Sequence, residues 1–188
     1  MSAYADHFIE DKNSGIGLLI QTDKEGLAGL RSTSFSGLYA YQLPISKSYT
    51  LRAGIQAGYV IRDINFSSLT FGDQFDQNGF ISGPTAEQFD TGAQKNYFDL
   101  GTGVLLYSES SWLGFSVAHL TTPNQSLIGQ DSPLPMKFSV HAGHKFFLKS
   151  GVMGSGMYAE SQERSIAPTV QYRQQGKFSQ LDIGLYYT

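Results

Sequence analysis

The chain has 188 residues, room for one domain of ordinary size, and its charged content of 15% falls well below the roughly 25% of a typical soluble domain. A formal net charge of −3 leaves no basic footprint for nucleic acid, and the absence of cysteine excludes disulfides and thiol chemistry. Gly (21), Tyr (11) and Phe (13) are abundant, which suits a β-barrel with lipid outside and water inside and would also suit a secreted β-sandwich. No stretch approaches the roughly 18 uninterrupted apolar residues of a membrane helix; the run from Gly15 to Ile20 is far too short. Nor does a basic-then-apolar signal segment follow Met1.

A period of two recurs along the chain, and no helical period is sustained over three turns. Residues 2–9 read as the end of a strand, closed by the polar turn 10–14. The next segment, 15–22, carries Ile16, Leu18 and Ile20 on one face, and Asp23-Lys-Glu-Gly26 is a turn signal. Segment 30–43 alternates Phe35, Gly37, Tyr39, Tyr41 and Leu43 against Ser32, Ser34, Ser36, Leu38, Ala40 and Gln42, and 44–48 turns the chain. Segment 49–62 gives the clearest pattern. Tyr49, Leu51, Ala53, Ile55, Ala57, Tyr59 and Ile61 form a charge-free apolar face. Thr50, Arg52, Gly54, Gln56, Gly58, Val60 and Arg62 form the polar, glycine-rich one. It is longer than the roughly 5–6 residues of an ordinary strand and long enough for the roughly 9–11 tilted residues that cross a bilayer.

A long polar connection at about 65–95 follows, of a length that is uncommon unless functional or disordered. Strands resume at 97–107 and 112–121, joined by the tight turn 108–111, and a proline-bearing loop runs over 122–135. The remaining strands are 136–148, 165–174 and 178–187, the first two joined by the Gly/Ser-rich stretch 149–163 and the last two by the turn Gln175-Gly-Lys177. Pro168 inside a predicted strand implies a bulge or an unpaired position.

About nine segments result. If connections alternate between sides, the short turns at 10–14, 44–48 and 108–111 share one side and the two long loops the other, the usual asymmetry of outer-membrane barrels. The connection 149–163 breaks that rule. The expectation is an all-β, antiparallel up-and-down transmembrane β-barrel, with residues 1–188 forming a single domain of about eight or nine strands. Because bacterial single-chain barrels have an even strand number, and the pattern runs to both ends, the segment is expected to be a piece of a larger barrel, truncated at both ends.

Reactive constellations are sparse. His141 and His144, three apart on a strand, are sent to opposite faces, so a shared metal site is not expected. His7 and His119 have no acidic or histidine neighbours arranged as ligands in the sequence. Asp73, Asp76 and Asp90 are candidate hard-cation ligands, but their spacing matches no calcium loop and solvated loop acids are the expectation. Gly151-Val-Met-Gly-Ser-Gly156 lacks the context and the Lys-Ser/Thr of a phosphate loop. No Gly-x-Ser-x-Gly elbow and no carboxylate pair suited to acid–base work are present. No catalytic, cofactor-binding or metal residue is expected.

The alternation itself assigns candidate positions. Arg52, Gln56, Arg62, Asp99, Lys145, Arg173 and Asp182 fall on the Gly/Ser-bearing face and are candidates to face a lumen. Leu51, Ile55, Val104, Phe115, Val140 and Ile183 fall on the other and are candidates to face lipid. Two readings of the polar set stand side by side: a lining that binds or gates something, or a filled interior whose charges pair to avoid unpaired burial.

Several stretches also carry a family likeness. Asp11-Lys-Asn-Ser-Gly-Ile-Gly-Leu18 is followed by Tyr39-Ala-Tyr-Gln-Leu43 and Leu51-Arg-Ala-Gly-Ile-Gln-Ala-Gly58. Trp112-Leu-Gly-Phe-Ser-Val-Ala-His-Leu-Thr-Thr-Pro123 and Leu134-Pro-Met-Lys-Phe-Ser-Val-His-Ala-Gly143 come next. Ala167-Pro-Thr-Val-Gln-Tyr172 and Gln180-Leu-Asp-Ile-Gly184 complete the series. In this order the chain resembles, over nearly its whole length, the PorP/SprF family of outer-membrane proteins of the type IX secretion system and gliding machinery. The resemblance implies a barrel in the bacterial outer membrane that is not an enzyme and needs no cofactor. It would help deliver or attach secreted surface proteins such as gliding adhesins, and would contact periplasmic ring components of the same system. Members of that family are considerably longer, with a signal peptide and further strands at both ends, and the 149–163 stretch is longer than the family pattern. The long loop 65–95 is expected to face outward, with the lumen face and rims as partner surfaces. The alternative is a soluble or secreted barrel that binds a small apolar ligand as lipocalin-like folds do, its apolar face turned inward.

Overall fold

Side chains that alternate apolar and polar along every segment leave the backbone one economical arrangement: a single pleated sheet with one greasy and one polar surface. In the computed structural model, residues 1–26, 29–66, 69–77, 79–81, 83, 85–86, 93–148 and 164–188 are described. The strands are β1 (Ser2–Ile9), β2 (Ser14–Glu25), β3 (Leu30–Pro44), β4 (Thr50–Asp63), β5 (Phe75–Asp76), β6 (Gly79–Phe80), β7 (Gln94–Tyr107), β8 (Ser111–Ala118), β9 (Lys137–His144), β10 (Phe146–Leu148), β11 (Arg164–Gln175) and β12 (Phe178–Tyr187). Ten of them form one sheet in which chain neighbours pair antiparallel, up and down. The short hairpin β5–β6 stands apart as its own two-stranded unit between β4 and β7. The sheet is open, with β1 at one edge and β12 at the other.

β9 and β10 occupy a single strand position. Gly143 lies opposite Thr169 and Phe146 opposite Ile166, so the register along β11 continues unchanged across the break at Lys145. The ladder lapses where it would meet Pro168, which has no N–H to donate, while on its other side Pro168 stays paired with Leu185 of β12. The proline therefore produces the unpaired position its place in the sequence implies, and the nine expected segments are the nine strand positions observed.

The register sorts the side chains. On β3, β4 and β7, Phe35, Tyr59 and Phe98 stand in one row on one face, and Ser36, Gly58 and Asp99 on the opposite face. Large apolar residues on the first face are exposed: Ile183 at 79%, Phe98 at 69% and Ile55 at 61%. Among the described residues the buried hydrophobic ones are Val60, Val117 and Ala167, so no second layer covers this surface. A sheet of this kind does not meet the two-layer requirement of a domain folded in water.

The connections differ in detail from the sequence expectation. The first turn is a 3-10 turn over Glu10–Lys12 closed by Asn13 in the left-handed region. β2 runs on through Glu25, because Asp23, Lys24 and Glu25 continue the ladder opposite Ser32, Arg31 and Leu30. The reversal expected at 23–26 begins only at Gly26, and Gly26 and Gly29, at φ 68 and 60, carry it. β8 ends at Ala118, not at residue 121, because His119 takes φ 59 and leaves the strand. β11 and β12 are joined by two residues with Gly176 at φ 56, as a type II′ hairpin requires. The stretch 149–163, and with it the glycine run 151–156, lies outside the described residues.

Candidate functional site: the polar face of the sheet

All seven residues expected on the polar side lie on one face of the sheet. Gln56 sits opposite Gly101, Arg62 opposite Lys95, Arg52 opposite Leu105 and Asp99 opposite Gly58. Arg173 and Asp182 sit on the same face of β11 and β12, opposite Gln180 and Gln171. Lys145 falls at the β9–β10 break on that side. The six residues expected on the apolar side share the other face. Val104, Phe115 and Val140 stand in one cross-strand row running from Tyr41 and Ala53 to Tyr172 and Leu181.

The polar face is organised differently in its two halves. Over β3, β4 and β7, Ser32, Ser34, Ser36, Gly58 and Gly101 floor a cavity of about 410 Å³ that Gln56, Val60, Arg62, Tyr97 and Asp99 also line. The larger groups bond along its edges. Gln56 Nε2 donates to Ser36 Oγ at 3.2 Å. Toward the turn end, Arg52 donates to Gln42 Oε1 at 2.6 Å and stacks over the Tyr107 ring at 5.6 Å. A second, larger cavity of about 700 Å³ extends toward β1, where Tyr4, Phe8, Leu19 and Leu38 make the same face apolar.

Over β8, β9, β11 and β12 the space is filled. Trp112 lies opposite Gly143 and His141 opposite Gly114, and a Cβ on either glycine would collide with the ring that covers it. Arg173 pairs with Asp182 at 2.5 Å, and Gln180 Nε2 donates to the second carboxylate oxygen at 2.9 Å. The Lys145 ammonium sits 4.9 Å over the Phe147 ring. His144, on the opposite face, bonds Ser111 Oγ through Nδ1 at 2.7 Å and meets the Phe146 ring edge-on. The two close histidines are thus on opposite faces, as strand geometry requires.

At the loop end the loop between β8 and β9 meets the strands. His119 Nδ1 lies 2.8 Å from Asp99 Oδ2, a single pairing that the sequence did not reveal. Twenty residues separate the two, and cross-strand pairing brings them together. Asp99 Oδ1 has no partner among the described residues. Arg62 Nη1 donates to the Gln125 side-chain oxygen at 2.5 Å. His119 and Thr122 hold φ of 59 and 41, positions that cost on the order of 1–3 kcal/mol each for a non-glycine residue and persist because the surroundings hold them.

The long connection between β4 and β7 is stapled by its own side chains. The Gln74 amide receives a hydrogen bond from Phe71 N at 2.9 Å and donates one to Gly83 O at 2.6 Å. Asp73 accepts from Ala86 N at 2.6 Å and from the Thr85 hydroxyl at 2.8 and 2.9 Å. These bonds, that from the Ala86 N–H first, hold its carboxyl below the ordinary aspartate range. Asp73 is the exposed loop acid expected, and it also serves as an acceptor within the loop; Asp90 lies outside the described residues. Among the described residues no three His, Cys, Asp or Glu side chains cluster as metal ligands do.

Sequence reasoning placed His141 on the polar face and missed Gln125 and Trp112 as groups that meet it. Glycine directly opposite a large ring was the available signal for Trp112, but it requires the register, which the sequence alone does not supply. The family described as type IX secretion system membrane protein PorP/SprF has a sequence model that matches residues 1–188, the whole chain. No curated protein and no solved structure matches it.

Proposed function

Because the chain belongs to the PorP/SprF family of type IX secretion membrane proteins, we propose that its sheet is a wall of an outer-membrane β-barrel that serves protein export by holding partners, not by catalysis. Leu51, Ile55, Val104, Phe115, Val140 and Ile183 face lipid. Arg52, Gln56, Arg62, Asp99, Lys145, Arg173 and Asp182 face the interior. The observation that carries this reading is the exposure of the apolar face on a sheet without a covering layer.

The dimensions agree. From Tyr49 to Tyr59 the apolar face spans about 33 Å of strand, or about 25 Å when tilted by about 40°, the height of the apolar band of such barrels. The band is bounded on the loop side by the aromatic row Phe35, Tyr59 and Phe98, with the Tyr59 and Phe98 rings edge-on at 5.1 Å. Just beyond it the same face turns polar, where Arg31 and Asp63 pair at 3.1 Å. The inward apolar face that a lipocalin-like ligand binder needs does not fit this arrangement.

The short turns at 10–13, 45–49 and 108–110 lie at one end of the strands and the loops 64–93 and 119–136 at the other. By the usual asymmetry the turns face the periplasm and its ring components, and the loops face outward toward secreted adhesin-type surface proteins. The test is complementation of surface-protein secretion in a strain lacking the protein. Ile55→Arg abolishes assembly and secretion, whereas Gln56→Arg retains both; equal tolerance of the two overturns the assignment.

A further inference from the structure

We propose that the loop between β8 and β9 is a strap drawn across the polar trough, anchored at its far end where Gln175 Nε2 donates to Pro135 O at 3.1 Å and tied over the cavity by two side-chain bonds that release without disturbing the strands beneath. The inference rests on reading the polar face as a barrel interior. The loop leaves β8, yet Gln125 reaches Arg62 on β4 with β7 lying between them, so it crosses the interior face instead of standing away from the rim.

Its root and its body are fastened separately. At the root, Leu120 N donates to Leu100 O and the Thr121 hydroxyl to Phe98 O, both at 3.0 Å, which continues the β7 edge beyond β8. The body keeps its own shape: Gln125 N donates to Ser132 O at 3.0 Å, and Leu134 N to Pro123 O at 2.9 Å. Asn124 adds bonds to Asp131, Ser126 and Ser132. His119 lies just before the root and Thr122 between root and body, both held at positive φ without being glycine. A body with internal order, joined at strained positions, moves as a unit when its ties are cut.

Those ties, His119 to Asp99 and Gln125 to Arg62, meet residues that line the 410 Å³ cavity. The serine and glycine floor beneath is flanked by Gln56, Val60, Arg62, Tyr97 and Asp99, and the strap reaches the cavity through His119 and Gln125. Held down, the strap closes the trough at its loop end; released, it opens the trough to whatever approaches from that side.

The native chain has no cysteine, so Ser34→Cys on the cavity floor supplies a unique thiol. The full chain in outer-membrane vesicles is treated with a bulky, water-soluble maleimide, and folding is checked by heat-dependent gel migration. With the strap intact, labelling is slow. His119→Ala combined with Gln125→Ala raises the rate by about tenfold, as expected when a minor open state becomes the major one. Arg62→Gln releases the second tie from the strand side and raises the rate in the same direction, which gives a second route if the loop variant does not fold. Unchanged rates in a folded release variant overturn the strap. Ile55→Cys serves as the control for the underlying reading: it stays unlabelled if the apolar face lies in lipid. Labelling there as fast as at Ser34→Cys shows that the interior assignment, not the strap, has failed.

Discussion

The β2–β7 half of the sheet and the β8–β12 half follow the same alternation and carry contrasting polar faces. In the first half Ser32, Ser34, Ser36, Gly58 and Gly101 leave part of the polar face bare, the ladders run unbroken through long strands, and a cavity remains. In the second, strands are shorter, the β11 ladder lapses at Pro168, and Trp112, His141 and the Arg173–Asp182 pair occupy the space. Polar patterning assigns a residue to a face. Whether that face is open or filled depends on the size of each inward side chain and on what stands directly across from it.

Six substitutions, in four tests, break or sharpen this contrast. The largest effect comes where both halves agree. Val140→Arg places a charge in the continuous apolar row and costs about 2–4 kcal/mol near the bilayer midplane, measured as loss of the folded species in urea titrations in lipid vesicles. The next separates open from filled. Gly143→Ala drives a Cβ into the Trp112 ring, an overpacking cost of about 1–3 kcal/mol. Gly37→Ala meets open space on the outward face and changes stability by less than about 0.5 kcal/mol in the same titration.

Arg173→Ala removes one partner of an ion pair that is partly exposed on both sides, so solvent screening keeps its effect smaller than that of Gly143→Ala. A comparable loss for Asp182→Asn in the same measurement would agree with a pair that acts as a unit. The smallest effect lies outside the wall. Asp73 has a folded pKa below its unfolded one, so its bonds stabilise the 71–86 segment fully above the ordinary aspartate value and lose that contribution as pH falls through the depressed one. Limited proteolysis of this loop is predicted to accelerate only at strongly acidic pH, and Asp73→Asn to remove the pH dependence.

Much of the wall was legible because strand period and face follow from side-chain spacing alone, as β4 shows most clearly. Strand ends were less so. The polar run Asp23-Lys-Glu looks like a turn, yet it continues β2 because its cross-strand partners extend just as far. The site's tertiary bonds were not legible. His119 with Asp99, and Gln125 with Arg62, are joined by register and by a loop path that no local pattern encodes. The bonds of Asp73 were hidden for a related reason: its partners, Thr85 and Ala86, lie a dozen residues away across the loop.

The central claim, that the apolar face touches hydrocarbon and the polar face does not, is tested most directly by fluorescence quenching in vesicles of lipids brominated along their acyl chains. The chain has a single tryptophan, Trp112, on the polar face. The native protein is predicted to resist quenching, and Ile55→Trp in a Trp112→Phe background to be quenched strongly. A native tryptophan quenched by the tails, with the Ile55→Trp variant left bright, would contradict the account.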